Sequence, residues 1–574
     1  MSDTTVVPER PAMAPAHQDG ATPELDPKRW TALLTVLTAA FMVLLDISIV
    51  AVAIPAIRSN LAATNGDIQF VVAGYGLAYA LVLITGGRLG DIYGRKRLFI
   101  IGMSGFVAAS ALCGLAQTAV MLDISRVVQG LMAALMFPQV LSVIQVTFPQ
   151  HERARAFGIL GAVIGIATIT GPLAGGLIIR DDITGGSWRW IFLVNLPIGI
   201  VSVIAAARLL TESRAPQARR LDLVGVAIAS IGLFLLVFPL VEGQDAGWPL
   251  WTYICMGLSP VVIAAFVLYE RTLPESRFPL VQLSLFKIPS FRIGVMISAF
   301  FIAGVPAFFF TFSLMLQAGL GFSALHAGLT TVPWSVGAAF ASVMSTRVAP
   351  RLGKWTIAIG AGLLATGVLA IILTLHLRGV DVSTLDLVPS FLVAGLGMGT
   401  VIAPLLNIIL AGVPGRDAGS ASGVLTTFQQ LGGAVGVAVV GVVFFGLLSS
   451  RADTVTAAVT PQLRTQLAVA GLPAPAVDSA AQQFSSCFDR RVRASDPTLS
   501  IPGCTTATSG PAAQSPVTRA FASAGQRAIA LDFVTTLERT LFLNAGLWVV
   551  TLLLALFLPR ARPPAVGGVA AGGH

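Results

Sequence analysis

Long apolar runs, divided by short polar, basic or glycine-rich turns, recur along this chain from Trp30 to Pro559. They fall near residues 30–57, 68–88, 98–117, 119–147, 156–179, 189–209, 222–241, 252–269, 291–316, 326–347, 355–375, 386–411, 419–448 and 537–559. Most approach the ~20 residues that a helix needs to cross the hydrocarbon of a bilayer. They lack the strict alternation of a barrel strand, and a helix satisfies its own backbone in lipid. The pattern predicts an all-α polytopic membrane protein with fourteen transmembrane helices.

Polar segments divide the fourteen. The stretch Thr211 to Arg220, reading TESRAPQARR, is basic and contains proline, and it follows six spans. Two more spans come next, then a mixed segment from about Glu270 to Arg292, then the last six. The expected organisation is a disordered tail over 1–29, a six-helix bundle over 30–210, a linker with two additional helices over 211–290, a second six-helix bundle over 291–559 and a tail over 560–574. The second bundle includes a long polar loop at 449–536. An internal echo ties the bundles together: Arg347 to Lys354 follows the second span of the last six as Gly87 to Arg97 follows the second span of the first six, with Pro350 where the first copy has Asp91. Weak internal repeats of this kind are common in transporters, and the missing acid predicts an asymmetric gate.

Composition narrows the class. A mean hydropathy of +0.83, with 55% hydrophobic and 11% charged residues, excludes an ordinary soluble protein. The net charge of +9 reads as an orientation signal. With cytoplasmic termini, the short outer loops hold only Arg58, Arg180, Arg189 and Arg378, while the inner loops and tails hold most of the remaining cations. No nucleic-acid partner follows from that charge. Residues 1–29 have no apolar core of a cleavable signal, and the excess of arginine over lysine with the Ala/Gly bias suggests a GC-rich bacterial genome. Cys113 and Cys255 lie in apolar spans, where a small buried hydrophobe is expected. Cys487 and Cys504 lie in the 449–536 stretch, which this topology puts outside, where oxidation is permitted, so a disulfide between them is expected. No Cys/His spacing suits zinc, and no cofactor is implied.

The turn Gly87-Arg88-Leu89-Gly90-Asp91-Ile92-Tyr93-Gly94-Arg95-Lys96-Arg97 packs four cations, one carboxylate and three glycines between two spans. If it is helical, Asp91 and Arg95 can pair at four residues' spacing. It resembles the loop between spans two and three of the major facilitator superfamily. Leu45-Asp46-Ile47-Ser48-Ile49-Val50-Ala51-Val52-Ala53-Ile54-Pro55 resembles the first-span motif of that superfamily's fourteen-span drug:proton antiporters, with Ala51 where that motif has an asparagine. Arg126-Val127-Val128-Gln129-Gly130 is similar to the superfamily's Arg-x-x-Gln-Gly element. Gly161-x-x-x-Gly165 with Gly171-Pro172-Leu173-Ala174-Gly175-Gly176 resembles its antiporter motif, associated with exporters. Asn195-Leu196-Pro197-Ile198-Gly199 and Leu221-Asp222-Leu223-Val224-Gly225 are typical of the fourteen-span exporters.

The resemblance implies a major facilitator fold and a proton-coupled antiporter that extrudes amphipathic drugs, antibiotics or related small molecules by alternating access. It implies a multi-pass protein of the bacterial inner membrane that works as a monomer and is not an enzyme. Its partners are a small-molecule substrate, protons and lipid. Asp46, an acid costing at least about 2.5 kcal/mol near mid-membrane unless compensated, is the candidate proton carrier, with Arg126 tuning it. Asp123 stacks on the face of Arg126 and Gln129; it is either a static partner of Arg126 or a second proton site. Gly87, Arg88, Asp91, Gly94 and Arg95 are the candidate gate, and Gly165, Gly171, Pro172, Gly175 and Gly176 the packing seam. Gln129, Gln317, Asn407 and Gln430 are candidate cavity residues. An ATP-driven pump is disfavoured because Gly353-Lys354 is followed by Trp355 and lacks a P-loop. Export of a lipid, fatty acid or peptide-like metabolite, or a non-transporting membrane sensor, are the rival readings.

Overall fold

A computed structural model describes residues 26–63, 65–181, 187–215, 221–243, 246–273, 279–493 and 515–559. Most of both expected tails, the end of the 211–220 linker and Cys504 lie outside the described residues. Fourteen segments among the described residues are helical, long and apolar enough to cross a membrane, in agreement with the reading from hydropathy.

The first bundle comprises α1 (Arg29–Leu61), α2 (Asn65–Tyr93), α3 (Arg95–Gly114), α4 (Ala119–Thr147), α5 (Gln150–Asp181) and a sixth span in which the short α6 (Trp190–Leu193) leads into α7 (Asn195–Leu209). A hairpin of α8 (Leu223–Glu242) and α9 (Leu250–Thr272) follows, pinned where Ser259 Oγ donates to Gly232 O at 2.8 Å. The second bundle contains α10 (Pro289–Leu314), α11 (Ala324–Thr330), α12 (Val332–Leu352), α13 (Lys354–Arg378), α14 (Thr384–Ala411), α15 (Ala418–Ser450) and the last span. Loops are short because antiparallel neighbours in a helical bundle need little chain to connect them.

Two seams join the bundles, and glycine makes both. On α2 and α15, a side chain on Gly87 would collide with Gly419 O, and one on Gly423 would press on Leu83 O. On α5 and α12, Gly158 and Gly161 leave room for Thr346 and Ser342, and Gly165 lies against Ser335 O. Small residues let backbones approach where lipid offers no hydrophobic drive for helix association.

The described residues of the expected 449–536 loop are instead mostly helical. After a one-residue break at Arg451, α15 continues as α16 (Ala452–Val469), α17 (Ala474–Arg493) folds back, and α18 (Pro516–Leu556) runs as one helix through this region and into the last span. Val455, Val459, Leu463 and Leu467 recur along one face of α16 and meet Phe484, Phe488, Ala520, Ala524 and Ala528 in a small separate core. Such a stripe on an otherwise polar helix is amphipathic; its mean hydropathy is low, so a search for apolar runs passes over it.

Candidate functional site

The first candidate site is a charged cluster buried inside the first bundle. Asp46, at the middle of α1, is fully buried and ion-paired with buried Arg126 of α4. Arg126 Nη1 also donates to Gln129 Oε1 at 2.8 Å, and its Nε donates to Val71 O of α2 at 2.9 Å. Gln129 Nε2 donates to Asp46 Oδ1 at 2.9 Å. Asn195 Nδ2, at the start of α7, donates to Ser110 Oγ of α3 at 3.0 Å and approaches Asp46 Oδ1 at 3.5 Å. The guanidinium lies over the Tyr75 ring, 4.3 Å from its centroid. Five elements thus converge on one carboxylate–guanidinium pair. An isolated ion at this depth is prohibitive, whereas a paired and hydrogen-bonded one is tolerated.

The charge of Asp46 is matched by Arg126, and one of the two readings of Asp123 is excluded. The static Asp123–Arg126 pair does not form, because Arg126 turns toward α1 and α2. Asp123 sits about one helical turn before Arg126 in α4, acts electrostatically on Asp67, and keeps a buried Oδ1 without a hydrogen-bond partner. The Gln129 amide is engaged by Arg126, Asp46 and Ser110. Ser110 and Tyr75 join the cluster with no signal in the sequence, and the Asn-x-Pro-x-Gly stretch that marks Asn195 says nothing of its partner.

The second site lies at the end of the bundles that carries Gly87 to Arg97, here called the basic end. Helix α2 runs through Tyr93 and α3 begins at Arg95, so the turn is the single residue Gly94 at φ 109°. That left-handed backbone suits glycine. Asp91 Oδ1 accepts from Arg95 Nη2 at 2.7 Å. The same carboxylate accepts the backbone N–H groups of Gly419 and Ser420 at 3.0 Å each, in the first turn of α15. A carboxylate at a helix N-terminus satisfies orphan N–H donors and is favoured by the dipole. Arg95 Nη2 also donates to Gly415 O at 3.0 Å. Asp91 and Arg95 therefore clasp the other bundle. Gln145 of α4 adds bonds to Leu410 O and Val413 O at 2.6 and 3.2 Å, and Ser142 Oγ meets Ser422 Oγ at 3.2 Å. Arg88 is buried beside this clasp, with Asp91, Asp417 and Glu270 as the acids that act on it. From the linker, Glu212 accepts from Lys96 N and Arg97 N at the start of α3, which gives the TESRA segment a capping role.

The remaining candidates are scattered. Gly171 leaves room for Ser48 of α1, Gly176 lies against Leu325, and Gly175 is buried, so this stretch of α5, which also holds Pro172, is a packing surface. Gln317 is exposed in the π-helical turn Met315–Gly319 and bonds only to Ser313 at the end of α10, at 2.7 Å, among the described contacts. Gln430 meets Tyr79 across the α2–α15 seam, and Asn407 Oδ1 is buried without a hydrogen-bond partner. No described contact joins these three. Cys487 of α17 is disulfide-bonded; its expected partner Cys504 lies outside the described residues.

Comparison with known proteins supplies the frame for both sites. The sequence profile of the Major Facilitator Superfamily matches residues 36–437. A Streptomyces coelicolor protein described as "Probable actinorhodin transporter" is 40% identical, covering 93% of this chain and 92% of its own. The tetracenomycin C resistance and export protein of Streptomyces glaucescens is 33% identical over 74% of this chain and 77% of its own. The puromycin resistance protein of Streptomyces alboniger is 32% identical over 73% and 83%. Among solved structures, the human organic anion transporter MFSD10 superposes with a TM-score of 0.54 at 15% identity, over 73% of this chain and 94% of that one.

Proposed function

The chain belongs to the major facilitator superfamily, and from that premise we propose that it is a proton-coupled exporter of amphipathic antibiotics or related small molecules in a bacterial plasma membrane. Three of the relatives above carry antibiotic transport, export or resistance in their names, which supports this substrate class. The observation that carries the coupling is the fully buried Asp46–Arg126 pair. When Asp46 takes up a proton, Arg126 loses its counter-ion. Its remaining bonds to Val71 O and Gln129 then hold an uncompensated cation, so the protonated and ionised states favour different bundle arrangements. A ligand shifts such an equilibrium only by its differential affinity for the two states, and here the proton is that ligand.

The gate is the basic end, which the distribution of cations assigns to the cytoplasm, together with both termini. In the arrangement described, Asp91, Arg95 and Gln145 hold it shut. Substrate enters from that side only after Asp91 releases the first turn of α15. Export then follows from reclosure, with the glycine-lined α5–α12 seam serving as the pivot. The 487–504 disulfide is part of this reading and braces the helical cap of α16 and α17 on the outer side.

Purified protein in liposomes tests the proposal. An imposed pH gradient should drive accumulation of a polycyclic antibiotic or dye, with matching proton counterflow. Substrate movement that ignores the gradient would remove proton coupling, and absence of any substrate movement across a panel of amphipathic compounds would remove the exporter reading.

A further inference from the structure

The hairpin α8–α9 has no part in the cycle just described, yet its end is bonded into the gate. Ser420, whose backbone N–H goes to Asp91, donates through Oγ to Leu280 O at 3.4 Å. Leu280 N in turn donates to Glu270 Oε1 at 3.0 Å, at the last turn of α9. Asp91, Ser420, Leu280 and Glu270 thus form a continuous chain of hydrogen bonds from α2 through α15 to the hairpin. Glu270 is 3% exposed. Its Oε2 is buried without a hydrogen-bond partner, as are Nε and Nη2 of Arg88, on which Glu270 acts electrostatically. A buried guanidinium with unmade hydrogen bonds is costly, and it depends on surrounding carboxylates for compensation. Two of those carboxylates stand on the parts that separate during opening, Asp91 on α2 and Asp417 in the turn just before α15. Glu270 stands on a third body.

We propose that Glu270 is a positioning residue of the gate, through which the two central helices hold the first turn of α15 and share the charge of Arg88, and so set how readily the basic end opens. The hairpin is then a working part of the transport cycle, beyond a lipid-facing insertion. Removing the charge at 270 weakens the closed arrangement without touching a substrate contact or the Asp46–Arg126 pair. The inference rests on reading the basic end as a gate.

The experiment uses Ser142→Cys, buried in the seam opposite Ser422, as a reporter in the full chain. Its thiol labelling is followed by peptide-resolved mass spectrometry in detergent, alongside KM and kcat in liposomes and melting temperature. Glu270→Gln should raise the labelling rate several-fold and lower kcat with KM unchanged, and Glu270→Asp, which keeps the charge, should fall between it and the wild type. Labelling of Glu270→Gln at the wild-type rate overturns the inference, as does a loss of kcat that only tracks a lowered melting temperature. If Glu270→Gln does not fold, Ser420→Ala, which keeps the N–H to Asp91 and loses only the bond to Leu280, carries the same expectations and the same contrary result. If labelling of the otherwise wild-type reporter does not respond to substrate or pH, the gate reading itself fails. If it responds but Glu270→Gln changes nothing, only the role of Glu270 falls.

Discussion

The second spans of the two bundles end in related sequences and do different things. At the end of α2, Arg88, Asp91 and Arg95 are buried, and Asp91 reaches the first turn of α15 in the opposite bundle. At the end of α12, Arg347, Pro350 and Arg351 are exposed, and Lys354 Nζ donates to Leu556 O of its own bundle. Proline where the first copy has an acid removes the one group able to accept N–H donors from a facing helix. The α2–α15 seam is therefore closed by charge and glycine together, and the α5–α12 seam chiefly by glycine packing. The glycine contact surface is present in both copies and the charged clasp in one; under the proposed cycle, opening is then controlled from the first seam while the other turns.

The largest expected effect breaks the comparison from inside the first bundle. Asp46→Leu leaves Arg126 buried and unpaired, and breaking a buried pair from one side costs about 3–5 kcal/mol. The double change Asp46→Leu, Arg126→Leu should recover much of that loss. Melting curves in detergent across the double-mutant cycle decide it; additive losses would show that the two side chains do not compensate each other.

Next comes the clasp. Asp91→Asn removes the charge that holds Arg95 and two N–H groups, each charge-assisted bond being worth about 1.5–3 kcal/mol. Turnover should fall strongly with equilibrium substrate binding largely kept. A parallel fall in affinity would place Asp91 in the binding site instead. A smaller effect is expected in the other copy. Pro350→Asp adds an exposed acid among exposed cations and restores one backbone N–H in the last turn of α12, and turnover should change little. A large change in turnover there would make the two ends equivalent and undo the asymmetry. The smallest effect on transport is expected at the cap: the Cys487→Ser, Cys504→Ser double change forgoes about 3 kcal/mol of stabilisation, but this is local to the loop in a unit with its own core, so transport should persist. Complete loss of transport would give the cap a direct part in gating or release.

Much of this was legible in the chain. Apolar run length located all fourteen spans, because the bilayer imposes it. The intramembrane charges Asp46 and Arg126 stood out because each is expensive alone. Their pairing did not, since it joins residues 80 apart on helices whose facing depends on the whole bundle. Asp123 stayed open between two readings for the same reason: three-residue spacing puts it on the same face as Arg126 but does not decide which way a long guanidinium turns. The Asp91–Arg95 pair was readable from local helical spacing, whereas its grip on Gly419 and Ser420 was not. The cap escaped because α16 and α17 bury a narrow stripe in each other and α18, leaving their mean hydropathy that of a loop. Glu270 carried no local signal at all.

In the proposed cycle, coupling resides in the Asp46–Arg126 pair of one bundle. Asp46→Asn in liposomes probes that pair in two modes with the same labelled substrate. pH-gradient-driven accumulation should be lost and gradient-free exchange across the membrane retained, because Asn keeps an acceptor for Arg126 and cannot carry a proton. Accumulation by Asp46→Asn at the wild-type level would contradict this assignment.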